Sequence, residues 1–62
     1  MDNLKTRVLE ALENAEENGY KPILLMMLPK QVAIDLCDLV KEFEGMNPDD
    51  LLPIVIEWQE RN

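Results

Sequence analysis

Histidine and serine are absent from this 62-residue chain, and cysteine occurs once. Without histidine or clustered cysteines, no tetrahedral zinc site can be assembled. A single cysteine excludes an intramolecular disulfide and suits a reducing compartment. Cys37 has no histidine to activate it and follows Leu36 in an amphipathic pattern, where a free thiol packs as a small hydrophobe. Acyl transfer has no serine to work with. The two glycines form neither a phosphate-cradling loop nor a calcium loop. The sequence therefore points away from an enzyme and from any cofactor or metal.

Long apolar runs are missing too. The longest unbroken apolar stretch, Ile23 to Leu28, falls far short of the ~20 residues a spanning helix requires. Asp2 near the amino terminus is unlike a targeting segment, so the cytoplasm is the expected location. Basic residues are scarce and scattered: six Lys and Arg against thirteen Asp and Glu, a net charge of −7. That sign disfavours direct contact with nucleic acid or anionic membrane.

Apolar residues are what the chain has in excess. They make up 47% of it, yet a chain of this size buries only ~60% of the surface its unfolded form exposes. With no disulfide or metal to help, tight helix packing or self-association must supply the stability.

The pattern predicts an all-α single domain over residues 1–62, with four helices near 3–18, 22–28, 30–44 and 48–61. Leu4, Val8, Ala11, Leu12 and Ala15 recur at helical spacing. Asp2 or Asn3 supplies a cap, and Asn18-Gly19 is a stop signal. Glu16 and Glu17 oppose the dipole at that end. Pro22 fits the start of the second helix, whose Leu and Met residues favour helix over strand. Pro29 must stop or kink the chain, although Leu28 before it is a poor cap. Leu25, Val32, Leu36, Leu39, Val40 and Phe43 carry one apolar stripe across it, with Gly45 as the stop. Asn47-Pro48-Asp49-Asp50 is the clearest start signal, and capping accounts for both acids. Pro53 is expected to kink or restart the last helix, where Glu57 and Arg61 form an oriented pair. An α/β alternative pairs 23–28 with 54–58 as strands, because Ile54-Val55-Ile56 has strand propensity.

Two surfaces stand out. An all-apolar short helix needs cover on every side. This predicts a partner or oligomer interface built from Ile23, Leu24, Met26, Met27, Leu52, Val55, Ile56 and Trp58, most simply in a homodimer. The acidic rows Glu10, Glu13, Glu17 and Asp35, Asp38, Glu42 read first as a solvated face that keeps the chain soluble. The expected function is a non-enzymatic protein–protein interaction module, self-associating and regulating or scaffolding a larger partner with a basic or apolar surface. The alternative is an acidic nucleic-acid mimic that blocks a DNA- or RNA-binding protein. A helix-turn-helix reader is rejected, because its recognition helix would carry Asp35, Asp38 and Glu42 to phosphates.

Overall fold

A computed structural model describes residues 3–61 and contains four α-helices with no strand among them: α1 (Asn3–Glu17), α2 (Lys21–Leu25), α3 (Pro29–Leu39) and α4 (Pro48–Arg61). A 3-10 turn (Lys41–Phe43) lies between α3 and α4. The strand alternative is thereby overturned. Val55 is enclosed while Ile54 is half-covered and Ile56 exposed, the one-sided burial of a helix.

α1 ends as its sequence requires. Gly19 adopts φ +84°, and its N–H donates to the Glu16 carbonyl while that of Tyr20 donates to Ala15. These two bonds satisfy the last carbonyls in a Schellman closure. The misplaced charge of Glu16 is offset by Lys21, whose Nζ lies 2.9 Å from its carboxylate. Of the two caps expected, Asp2 lies outside the described residues and Asn3 falls within α1 itself.

α2 stops at Leu25 instead of running to residue 28. Leu28 precedes Pro29 and is extended, at φ −64° and ψ 145°, because the proline ring disfavours helical backbone there. Met26 and Met27 donate to the carbonyls of Ile23 and Leu24, tightening the last turn. Gln59 of α4 reaches back to the Leu24 and Met27 carbonyls at 3.4 and 3.5 Å. Leu28 offers no side-chain cap, but its carbonyl accepts the Val32 N–H at 3.0 Å and so opens α3.

α3 also ends early. The helix expected to reach residue 44 breaks at Val40, which is extended at φ −115° and ψ 110°. Nothing in the local sequence forbids helix there; a β-branched side chain only tilts the preference. The break folds the 3-10 turn inward, so that Phe43 is fully buried. The Arg7 guanidinium stands 6.0 Å from the ring centroid, at the outer limit of a cation–π contact.

α4 begins at Pro48, with the Asp49 N–H donating to Asn47 Oδ1 at 3.0 Å. Pro53 sits inside this helix without splitting it, which excludes the restart among the two outcomes expected, a kink or a restart. Its missing N–H frees the Asp49 carbonyl one turn back. Both residues are exposed, so water takes the place of the lost bond.

The core is shared by every element: Val8, Ala11 and Leu12 from α1, Leu24 from α2, Val32, Ala33 and Leu36 from α3, Phe43 from the turn, and Leu51, Val55 and Trp58 from α4. Enclosing one such Val, Leu or Phe side chain stabilises the fold by about 1.5–3 kcal/mol. No charged or polar residue among those described is buried. α3 packs along α4, and α1 rests on α4 and α2.

Glu57 ties α1 to α4, with Lys5 at 3.1 Å and Arg61 at 2.9 Å. The hydrogen bond from Lys5 and its charge, followed by the charge of Arg61, hold the Glu57 carboxyl below the ordinary glutamate range. A carboxylate that binds its proton less tightly folded than unfolded adds stability above its unfolded pKa. It loses that contribution as pH falls through the lowered folded value. Glu57→Gln is therefore expected to be less stable than wild type at neutral pH. Urea denaturation across a pH series should show the gap closing as pH drops below the ordinary glutamate range; a gap that does not change with pH would contradict this role.

Candidate interaction surface

Burial divides the residues expected at an interface. Leu24, Val55 and Trp58 are core and hold the monomer together. They are corrected from interface to interior. Met27 is packed against the core and Leu52 is half-covered. Ile23, Met26 and Ile56 face solvent, Met26 with 89% of its surface exposed. The all-round cover expected for residues 23–28 is not supplied by this chain. Only Leu24 of that run is fully inside, because α2 has a single turn and rests one side on the bundle.

Exposed apolar residues that were not singled out as interface candidates complete the surface. Tyr20, Leu25, Leu28 and Leu39 are all exposed. Tyr20 falls in the short link after Gly19, where composition gives no sign of a surface role. Leu39 continues the apolar stripe of α3 in sequence, but Phe43 takes the inward place and leaves Leu39 54% exposed.

Two of these side chains, Tyr20 and Leu39, border two open grooves. The first, about 510 Å³, lies between α1 and the carboxyl end of α3. Ala11, Ala15, Leu36 and Val40 are among its apolar walls, and Arg7, Glu10 and Glu42 its charged ones. The second, about 290 Å³, is bordered by Ile23, Leu24 and Met27 of the α2 region and by Asp35 and Asp38 of α3. Tyr20 and Leu39 line both. The two grooves adjoin along this apolar wall, and together they make up the cleft.

The second acidic row does not survive as a row, whereas the first keeps its place on α1. Glu10, Glu13 and Glu17 are exposed along α1, but only Glu10 borders the cleft. Asp35 is half-buried and accepts a 2.9 Å hydrogen bond from Gln31. Asp38 is exposed on α3, whereas Glu42 belongs to the 3-10 turn and lines the other groove.

The chain matches no family model, no curated protein and no solved structure.

Chemically the cleft offers burial and negative charge. Among the described residues, no three carboxylate or thiol groups stand where a metal ion could be held. Likewise, no helix among them is long and apolar enough to cross a membrane. Cys37 lies outside the cleft lining, half-buried, with its Sγ 3.9 Å from the Met46 carbonyl. Burial and the neighbouring Asp38 charge push its thiol pKa up, which lowers the thiolate fraction at neutral pH.

Leu36 and Leu39 are three residues apart on α3, and both border the cleft, but Leu36 is enclosed and Leu39 exposed. Leu36→Ala should cost about 2–5 kcal/mol, whereas Leu39→Ala should stay within about 0.5 kcal/mol of wild type. Chemical denaturation of the two variants checks the assignment, and equal losses would refute it.

Proposed function

We propose that this chain is a non-enzymatic protein–protein interaction module that docks through the apolar surface around α2 and the end of α3. The supporting observation is the exposure of Ile23, Met26, Leu28 and Leu39 at 58, 89, 77 and 54%. Their neighbours in sequence fill a closed core, so the fold does not depend on these four being covered. Apolar side chains gathered on a small acidic chain mark an interaction site. Burying them against another protein would release water from each.

Self-association is a second reading, favoured by Met26 and Leu28. Both sit on the link between α2 and α3, outside the lining of the cleft. Two copies could pack these tips together about a two-fold axis. A nucleic-acid mimic has less support, because Asp35 and Glu42 leave the second acidic row and only Glu10, Glu13 and Glu17 stay in line on α1.

One triple variant, Ile23→Lys with Met26→Lys and Leu39→Lys, tests the proposal. All three sites are exposed, so circular dichroism should report unchanged helix content. Proteins retained from native cell extract at high salt by wild type should be lost by the variant, since an apolar grip responds little to screening. Sedimentation equilibrium on the same pair should give a lighter species for the variant if two copies associate. The same high-salt partners on both proteins would refute the apolar surface. Retention that vanishes with salt for wild type would refute an apolar grip and leave charge alone as the source of binding.

A further inference from the structure

The geometry points to one kind of occupant for the cleft between α1 and α3: a basic amphipathic helix of another protein, its apolar face on Tyr20, Leu39 and Ile23 and its Lys or Arg residues against the flanking carboxylates. This rests on the interaction role proposed above and names the partner chemistry that fits.

Charge makes the first selection. Four carboxylates border the cleft, those of Glu10, Glu42, Asp35 and Asp38, against one guanidinium, Arg7. Arg7 lies over the Phe43 ring. The whole chain carries −7, so a cationic partner is drawn toward the molecule before it touches the cleft. A second copy seated here about a two-fold axis would bring the same four carboxylates against themselves, which costs where burial strips away water. Nucleic acid has the wrong sign for the same reason.

Shape makes the second. With no strand among the described residues, an extended peptide finds no sheet edge to join, and the cleft is bounded by helices on both sides. An added helix fits between helices by setting apolar residues at i, i+3, i+4 and i+7 into the gap. Three to four turns span about 16–22 Å, within the molecule's 27 × 22 × 20 Å extents. The shared apolar wall at Tyr20 and Leu39 would take the central anchor. The carboxylates then meet the cationic flanks and set the helix's rotation about its own axis.

The probe is a capped Leu/Lys peptide of about fourteen residues with leucines at helical spacing, compared with a scrambled peptide of identical composition. Titration into the full chain, followed by backbone amide shifts, should give saturable changes centred on Ala15, Tyr20, Ile23 and Leu39. Leu39→Asp should weaken binding at least about tenfold. The pair Asp38→Asn with Glu42→Gln should weaken it severalfold and flatten its salt dependence. Should Leu39→Asp lose helix content, Ile23→Asp carries the same expectation on a separate element.

Equal binding of the scrambled peptide would overturn the assignment, as would an unaffected Leu39→Asp or shifts spread over Glu13 and Glu17. Shifts centred on Met26 and Leu28 would move docking to that tip and overturn the cleft while leaving the interaction role standing. Concentration-dependent shifts at Tyr20 and Leu39 without peptide would give the cleft to a second copy and overturn the basic helix.

Discussion

Phe43 is sealed from water because the helix before it stops four residues short of it. That exchange of backbone regularity for side-chain burial organises the rest of the molecule. Ending α3 at Leu39 forgoes helical hydrogen bonds, part of which the 3-10 turn restores through bonds from Phe43 to Val40 and from Glu44 to Lys41. In return the ring enters a core to which all four helices contribute. A buried aromatic of this size outweighs one or two solvated backbone bonds, whose net worth is about 1 kcal/mol each.

The same break makes the surface. Leu39 would belong to a continuous stripe if the helix ran on, yet it is left facing water beside Tyr20. Glu42 is carried off the outer face of α3 onto the far wall of the first groove. Core formation and cleft formation are thus one event, and the exposed leucine follows from burying the phenylalanine. The mismatch between apolar content and size is met in two ways: eleven of the described residues close the interior, and most of the exposed surplus gathers around α2 and the cleft.

Local chemistry was legible in the sequence wherever one residue decides the outcome. Gly19 ends α1 because it tolerates positive φ, and Asn47 starts α4 because its side-chain oxygen meets an unpaired amide. The Glu57–Arg61 pair follows from spacing alone. What was hidden depends on distant residues. Val40 breaks α3 to suit Phe43 and α1, a preference invisible in a window around it. Pro53 looks like a helix breaker, but near the solvated start of α4 its cost falls to a bond that water replaces. Leu24, Val55 and Trp58 carry no mark that separates an interior residue from an interface residue. Tyr20 and Leu39 belong to the cleft because α1 and α3 leave a gap between them, which periodicity within either helix does not encode.

The most direct measurement is proton relaxation by a soluble paramagnetic agent, read at individual methyl and aromatic groups. Resonances of Leu39, Tyr20, Ile23 and Met26 should broaden, while those of Phe43, Leu36 and Val55 keep their widths. A shielded Leu39 beside a broadened Phe43 would mean that α3 runs through Val40 unbroken, and both the core and the cleft described above would be wrong.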